Sequence, residues 1–413
     1  MSLRGRSCSS PEAISWHNLG LLRRGGHPPR NDILTMNILL TGGRAPATLE
    51  LARAFHRAGH TVFMAESLRG HLSQPSAAVK AQFVVPAPRQ ESEAFLGALK
   101  KIITENQIEV LIPTCEEIFH IAKRLNDLPC RVFSEPLKKL DIVHNKWKFV
   151  VHAVEHGLRA PETMYVRIQD DLLHAFAQWR ELVVKPVYSR FASRTLIQPS
   201  LKHALATLTF GSPWVAQEYI PGQQFCTYSI CHNGHITAHT TYPTTFIAGQ
   251  GAAIAFQHVD HPAIFEWVQA FVKSLNFTGQ IAFDFIESPE GVLYALECNP
   301  RATSGVHLLA SHPRFVEAFF NPAMDCIFPA DNHPHMLASA MLTYALPASI
   351  FDGRLGRWLK TFFSSSDVIL DFQDPLPFVL QFRSIFSYLL LARRKKISAL
   401  EASTFDIEWN GEL

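Results

Sequence analysis

Glu297, Asn299 and Arg301 close the apolar run GVLYALECNPR at alternate positions. Side chains two apart in a strand share a face, so an acid, an amide and a guanidinium end this segment together. Upstream, QIAFDFIE is separated from that run by Ser288-Pro-Glu-Gly291, a strong turn signal. Pairing Ser288 with Gly291 sets Asp284 opposite Ala295. Glu297 and Asn299 then follow one and two steps along on the face of Asp284. Two carboxylates and an amide oxygen form a hard-oxygen site of the kind that holds magnesium, with substrate phosphate oxygens in the remaining positions. Arg301 could reach a phosphate or carboxylate oxygen with its fork of donors. Taken alone, the same residues also suit a hairpin with a wetted polar end.

VVKP places Lys185 inside an apolar strand. A buried lysine needs an anion, and either an acidic neighbour or a phosphate would serve. Lys146, in HNKWKF, precedes a helix and by itself reads as a surface lysine. QEYIPG (217–222) breaks a strand at Pro221-Gly222. Such a break exposes backbone N–H and C=O groups with which a purine edge can pair, though alone it is a plain turn.

These residues need elements to hold them. MNILLTGG (36–43) reads as a buried strand into a glycine turn, and TLELARAFHRAG (48–59) has helical apolar spacing ending at Gly59. HTVFMAES, AQFVVP, a helix around AFLGALKKIITENQ, and EVLIPT continue the alternation. A parallel sheet with helices on both faces follows, over 36–130. The segment 131–212 holds the helical KWKFVVHAVEHG, strand candidates ETMYV and ELVVKPV, and the loop YSRFASR. From 213 to 335 strands dominate, with HPAIFEWVQAFVKSLNF as an amphipathic helix among them. A C-terminal segment, 336–413, contains DFQDPLPFVLQFRSIFSYLLLARRKK, whose basic end suits a helix C-terminus or else a membrane surface or acidic partner.

With 413 residues, two or three lobes are expected; 47% hydrophobic and 18% charged residues indicate a globular chain. A net charge of +2 and no basic stripe argue against nucleic acid. No apolar run reaches the length of a membrane span. Seven scattered cysteines without a CxxC pair point to a reducing, cytoplasmic compartment. Residues 1–35, rich in arginine and serine, read as a disordered extension before the domain start near Met36, with a transit peptide as the competing reading.

The ordered set Lys146, VVKP, QEYIPG, Asp284 and Glu297-Cys-Asn299-Pro-Arg301 resembles the ATP-grasp superfamily, most of all the carboxylate–amine ligases and the carbamoyl phosphate synthase large chain. FDFIESPEGVLYALECNPRATSG is its most specific piece. The resemblance covers about residues 36–320. It implies an α/β and α+β chain: a Rossmann-like N-terminal domain, a small lid, and a larger antiparallel-sheet subdomain that binds ATP. By the same resemblance Lys146 and Lys185 contact ATP phosphates, and Gln217, Glu218, Tyr219 and Ile220 form the adenine hinge. Asp284, Glu297 and Asn299 hold magnesium, with manganese as the alternative ion. Arg301 sits by the transferred phosphate or the acyl substrate, and with Lys185 is assigned to catalysis. The implied reaction makes an acyl phosphate that an amine or similar nucleophile then displaces. The implied partners are small-molecule carboxylate and amine substrates; a homodimer is compatible with the resemblance.

Two departures stand out. The family's lid loop is rich in glycine and serine, but here it reads Tyr188-Ser-Arg-Phe-Ala-Ser-Arg194. Arg190 or Arg194 is expected to supply charge in place of glycine amides. Many relatives have a ribose-binding glutamate past the hinge, where this chain has Gly222-Gln223-Gln224; Gln224 can still accept a hydrogen bond.

Two other readings compete. One is an NAD(P)-dependent oxidoreductase: TGGRAPA is a glycine turn between strand and helix, and Glu66 ends the next strand, but G-x-G-x-x-G is missing. The other is a catalytically inactive ATP-grasp-like protein that binds nucleotide. The loop 240–258 is expected to border the acyl site; His239, His258 and His307 are candidate participants there, though a histidine of this kind is more often structural or solvent-facing.

Overall fold

A computed structural model describes residues 35–189, 194–249 and 251–411 of the chain. The expected N-terminal extension, up to residue 34, lies outside the described residues, as does Arg190.

Ile38, Leu39 and Leu40 are all fully buried, and their neighbours alternate. Ile38 and Leu40 pack with Leu51 and Phe55 of the helix Pro46–Arg57. Leu39 packs on the other side with Phe95, Leu99 and Ile103 of the helix Ser92–Glu105. A strand apolar on both faces has to be covered on both, and here it becomes the middle of a five-stranded parallel sheet. Asn37–Thr41 is flanked by Thr61–Glu66 and then Ala81–Val84 on one side, and by Val110–Ile112 and then Arg131–Val132 on the other. The sheet therefore takes in residues 131–132, just beyond the expected boundary at 130.

The second sheet is antiparallel and ordered Thr163–Val166, Trp214–Glu218, Leu182–Pro186, Leu196–Ile197. Val184, Trp214 and Ala216 pack on Leu172 and Ala175 of the helix Gln169–Gln178. Trp214–Glu218 is an interior strand of this sheet, so the sheet extends past the boundary expected at 212. Sequence order suggested otherwise because the strand is followed at once by the long strands of the next sheet.

That third sheet is antiparallel, with the order His235–Pro243, Gln223–His232, Gly279–Glu287, Leu293–Asn299. One face packs Ile281, Phe283 and Phe285 against Trp267 and Phe271 of the helix Pro262–Ser274 and Phe149 of the helix Lys146–Glu155. Each fully buried phenylalanine contributes roughly 1.5–3 kcal/mol. Alternation then turns Asp284 to the opposite face. Pro221-Gly222 lets the chain pass tightly between the second and third sheets: a Cβ at Gly222 would collide with the Glu287 carbonyl.

Candidate active site

The two hairpin strands do not meet in the expected register. Glu287 pairs with Leu293 and Phe285 with Ala295, one residue out of step with the alignment that put Asp284 opposite Ala295. That slip alone would have sent Glu297 to the wrong face. A bulge follows at once: Asp284 pairs with Glu297, Leu296 is left over, and Ala282 pairs with Asn299. Two single-residue slips restore the face, so Asp284 and Glu297 stand directly across from each other with Asn299 one step on. The bulge also frees a carbonyl, because Leu296 O accepts from Lys185 Nζ at 3.2 Å.

Lys185 is carried by the strand Leu182–Pro186 of the second sheet and is almost wholly buried. Lys146 begins the helix Lys146–Glu155, whose cap is Asn145; its side-chain oxygen accepts from Lys148 N at 3.0 Å. Lys146 is likewise buried; its Nζ lies 3.2 Å from Glu297 Oε2 and donates to Ser189 O at 3.2 Å. Two cations from separate elements thus converge on one hairpin carboxylate.

The electrostatics follow from this crowding. Burial would keep Glu297 protonated, but Lys146 and Lys185 outweigh it and hold the carboxyl well below its usual range. Asp284 goes the other way, pushed up by burial and by the facing charge of Glu297. Burial presses Lys185 down to about 8, against the pull of Glu297 and with the help of Lys146. Cys226 pairs with Asp284 on the neighbouring strand, and burial beside that carboxylate pushes its thiol up. Nothing in FCTYS marked this cysteine as a neighbour of the acids; only cross-strand pairing reveals it.

Arg301 is half-buried and turns back on its own strand end: Nη2 donates to Asn299 Oδ1 at 3.2 Å and Nη1 to Ala302 O at 3.3 Å. Its charge acts on Asp284 and also on Cys115, beside the first glycine turn. It therefore stands between the hairpin acids and the N-terminal domain.

The residues expected to form the adenine hinge are only partly open. Gln217 is buried, its Nε2 bonded to Thr163 Oγ1 at 2.9 Å. The N–H groups of Glu218 and Tyr219 go to Glu162 O and Glu181 O. Ile220 follows, half-buried. Gln224 is exposed on the sheet face shared with Cys226 and Asp284, two and four residues' pairing away from the hairpin turn. Arg194 stacks over Trp214 at 5.1 Å and donates to Thr209 Oγ1 at 3.2 Å.

The three histidines are bound into networks. His239 sits between Ser229 Oγ at 2.8 Å and Thr241 Oγ1 at 3.0 Å, and burial holds its pKa down at about 3. His258 bridges Thr240 and Asp260, and His307 faces Glu50. Glu66 is not available to a ribose. It is buried and both of its oxygens accept from Arg44, whose Nη1 and Nη2 reach on to Asp406 at 2.6 and 2.9 Å. The chain contact that sequence reading missed here is 362 residues long.

Residues 143–305 match the model of the ATP-grasp domain. No curated protein matches the sequence. Among solved structures, the N5-carboxyaminoimidazole synthetase of Staphylococcus aureus aligns with a TM-score of 0.61 at 13% identity, over 77% of this chain and 86% of its own. The L-amino acid ligase of Bacillus licheniformis aligns with a TM-score of 0.54 at 18% identity, over 66% and 68%. The biotin carboxylase domain of Hydrogenobacter thermophilus 2-oxoglutarate carboxylase, solved with MgADP and bicarbonate, aligns with a TM-score of 0.55 at 13% identity, over 67% and 66%. At these identities the likeness is one of fold.

Proposed function

We infer that this chain, an ATP-grasp protein by its fold and by its domain at residues 143–305, uses ATP to activate a carboxylate for attack by an amine or similar nucleophile. The observation that carries the reading is the convergence of Lys146 and Lys185 on Glu297, with Asp284 across the ladder.

The donor set fits magnesium. Among the described residues there is no group of three or more His, Cys, Asp or Glu able to cage a metal. Two carboxylates and the Asn299 oxygen match an ion that keeps waters and takes substrate phosphate oxygens. Asp284, Glu297 and Asn299 would hold it, or manganese in its place. When bound, the ion supplies charge neutralisation and polarises phosphate oxygens.

The chain's own groups supply position and charge, which is most of what phosphoryl transfer requires. Lys185, with its pKa near 8, is protonated at neutral pH and can meet phosphate oxygens together with Lys146. Arg301, whose charge acts on Asp284 and on Cys115 of the N-terminal domain, would meet the transferred phosphate or the acyl substrate. The substrate carboxylate oxygen bonds to the γ-phosphorus as the bond to ADP breaks. The amine then attacks the acyl carbon and phosphate leaves, while the amine's proton passes to solvent. His239, with both ring nitrogens hydrogen-bonded and its pKa held down at about 3 by burial, is a poor base at neutral pH.

Amino acids are the first substrates to try, since one structural neighbour is an L-amino acid ligase. Incubation with ATP, magnesium and pooled carboxylates and amines, read by mass spectrometry, should give a product with the mass gain of a condensation. A pool that covers amino acids and simple carboxylic acids and yields neither product nor ADP would reject the ligase reading. Arg194 favours a second reading, nucleotide binding without turnover, because this lid cation is engaged with Trp214 and Thr209. Binding of ATP with no ADP formed under the same conditions would select it.

A further inference from the structure

The helix Leu376–Lys395 has its faces reversed. A surface helix ordinarily buries its apolar stripe. This one buries Pro377, Gln381, Ser384 and Ala392. Gln381 Nε2 donates to Phe378 O at 2.9 Å, and Ser384 Oγ donates to Gly70 O at 2.8 Å. Turned outward are Val379, Phe382, Phe386, Leu389 and Leu390, with Phe382 65% and Phe386 60% exposed. From Val379 to Leu390 this stripe runs along about 17 Å of the helix. Three further phenylalanines on the same C-terminal segment stand almost free: Phe351 at 89%, Phe363 at 79% and Phe372 at 88% exposure.

Two stretches that carry most of these side chains hold cations and no acid, although Asp352 follows Phe351 and Asp371 and Asp374 flank Phe372. From 375 to 400 there is no Asp or Glu, but there are Arg383, Arg393, Arg394, Lys395 and Lys396. From 353 to 366 there is again no acid, with Arg354, Arg357 and Lys360. Arg354 is paired with Asp352, and Lys395 lies over the Phe405 ring; no acid within either stretch answers the other cations. Among the described residues no helix is long and apolar enough to cross a membrane.

We propose that the outward face of the Leu376–Lys395 helix docks on an anionic lipid bilayer. Aromatic and aliphatic side chains enter the boundary between headgroups and acyl chains, while the basic end meets anionic headgroups. A second copy of this chain is a poorer occupant. It would bring the same excess of cations on its own helix, so it offers the basic end no net negative surface, as an anionic bilayer does. A bilayer answers both the apolar face and its charge.

The test is sedimentation of the full chain with vesicles of phosphatidylcholine alone and of roughly three parts phosphatidylcholine to one of phosphatidylserine. The chain should bind the mixed vesicles at least about tenfold more tightly than the neutral ones at low salt, and less tightly as salt rises. Phe382→Ser with Phe386→Ser should abolish sedimentation with both. Arg393→Glu with Arg394→Glu should remove the preference for the anionic vesicles. Both variants replace exposed side chains, so thermal midpoints should match the parent. The proposal is overturned if the parent stays in the supernatant with both vesicles. It is equally overturned if light scattering gives a dimer that Phe382→Ser with Phe386→Ser dissociates, or if neither variant alters vesicle binding. ATP turnover is read in parallel and is expected to be unchanged in both variants, so a failure here and a failure of the ligase reading are separate results.

Discussion

Lys146 Nζ and Glu297 Oε2 stand 3.2 Å apart, an ion pair between the first residue of a helix and a bulged hairpin strand. Glu297 is 28% exposed and Lys146 only 5%, so the acid is the more open of the two to a ligand. A phosphate and a metal ion would each take over one member of this pair. Lys146→Met is therefore expected to raise the Kd for MgATP by about tenfold or more. Titration calorimetry on the folded variant checks this; an unchanged Kd would remove Lys146 from the nucleotide site.

Lys185 gives a pH dependence with opposite signs for stability and binding. Burial holds its folded pKa down at about 8, against an ordinary lysine value of 10.5. Between those values the unfolded chain holds more proton than the folded one, so this group makes stability rise with pH across that window. Phosphate binding needs the protonated amine, so above pH 8 the Kd for ATP should climb by up to about tenfold per pH unit. Lys185→Arg, which stays charged, should flatten that climb. A profile equally steep in wild type and Lys185→Arg would assign the titration elsewhere.

The Arg44–Glu66–Asp406 cluster ties residues near the C-terminus to the first glycine turn. Burial would raise the pKa values of both acids, but Arg44 outweighs it and both end below their usual values. Their contribution is thus present above the ordinary carboxylate pKa and lost as pH falls through the depressed folded values. Arg44→Leu strands a buried Glu66 and should cost about 3–5 kcal/mol in urea unfolding at neutral pH. The loss should shrink below about pH 4, where protonated acids no longer need the guanidinium. A variant within about 1 kcal/mol of wild type at pH 7 would refute the tie.

Trp409 stacks on Phe119 at 5.0 Å and meets the edge of Tyr188 at 5.3 Å. Tyr188 in turn donates to Asp141 Oδ1 at 2.6 Å and accepts from Asn145 Nδ2 at 2.9 Å. Asn145 caps the helix that starts at Lys146. Trp409→Ala should lower stability by about 3–5 kcal/mol and also weaken ATP binding by loosening that cap. Trp409→Phe should recover most of both. Lost stability with full ATP affinity would mean that the tryptophan does not position Lys146.

The parallel sheet was legible because buried strands and amphipathic helices alternate in the sequence with clear periods. The shared face of Asp284, Glu297 and Asn299 was legible for a weaker reason: two register slips of one residue each add to two, which restores the face. The bulge at Leu296 has no compositional mark, and Lys185, which donates to its freed carbonyl, comes from another sheet. Lys185 stood out by its apolar setting, whereas Lys146 did not, because its burial comes from Val187, Ser189 and Glu297, distant in sequence. The same holds for Arg44 with Asp406. Trp214–Glu218 joined an unexpected sheet because strand pairing is a tertiary choice that strand propensity does not record. The reversed Leu376–Lys395 helix could not be read from apolar spacing, which does not say which face the protein covers.

The most direct measurement is ATP-dependent phosphate release, with magnesium and an accepted carboxylate–amine pair, by wild type and Glu297→Gln. The substitution keeps shape but removes the charge on which both lysines act and turns one proposed carboxylate ligand into a neutral amide. Wild type should release phosphate, and Glu297→Gln should fall by at least about a hundredfold while retaining its fold by circular dichroism. Release by Glu297→Gln at the wild-type rate would contradict the assignment of the Asp284–Glu297 hairpin as the metal- and phosphate-binding centre.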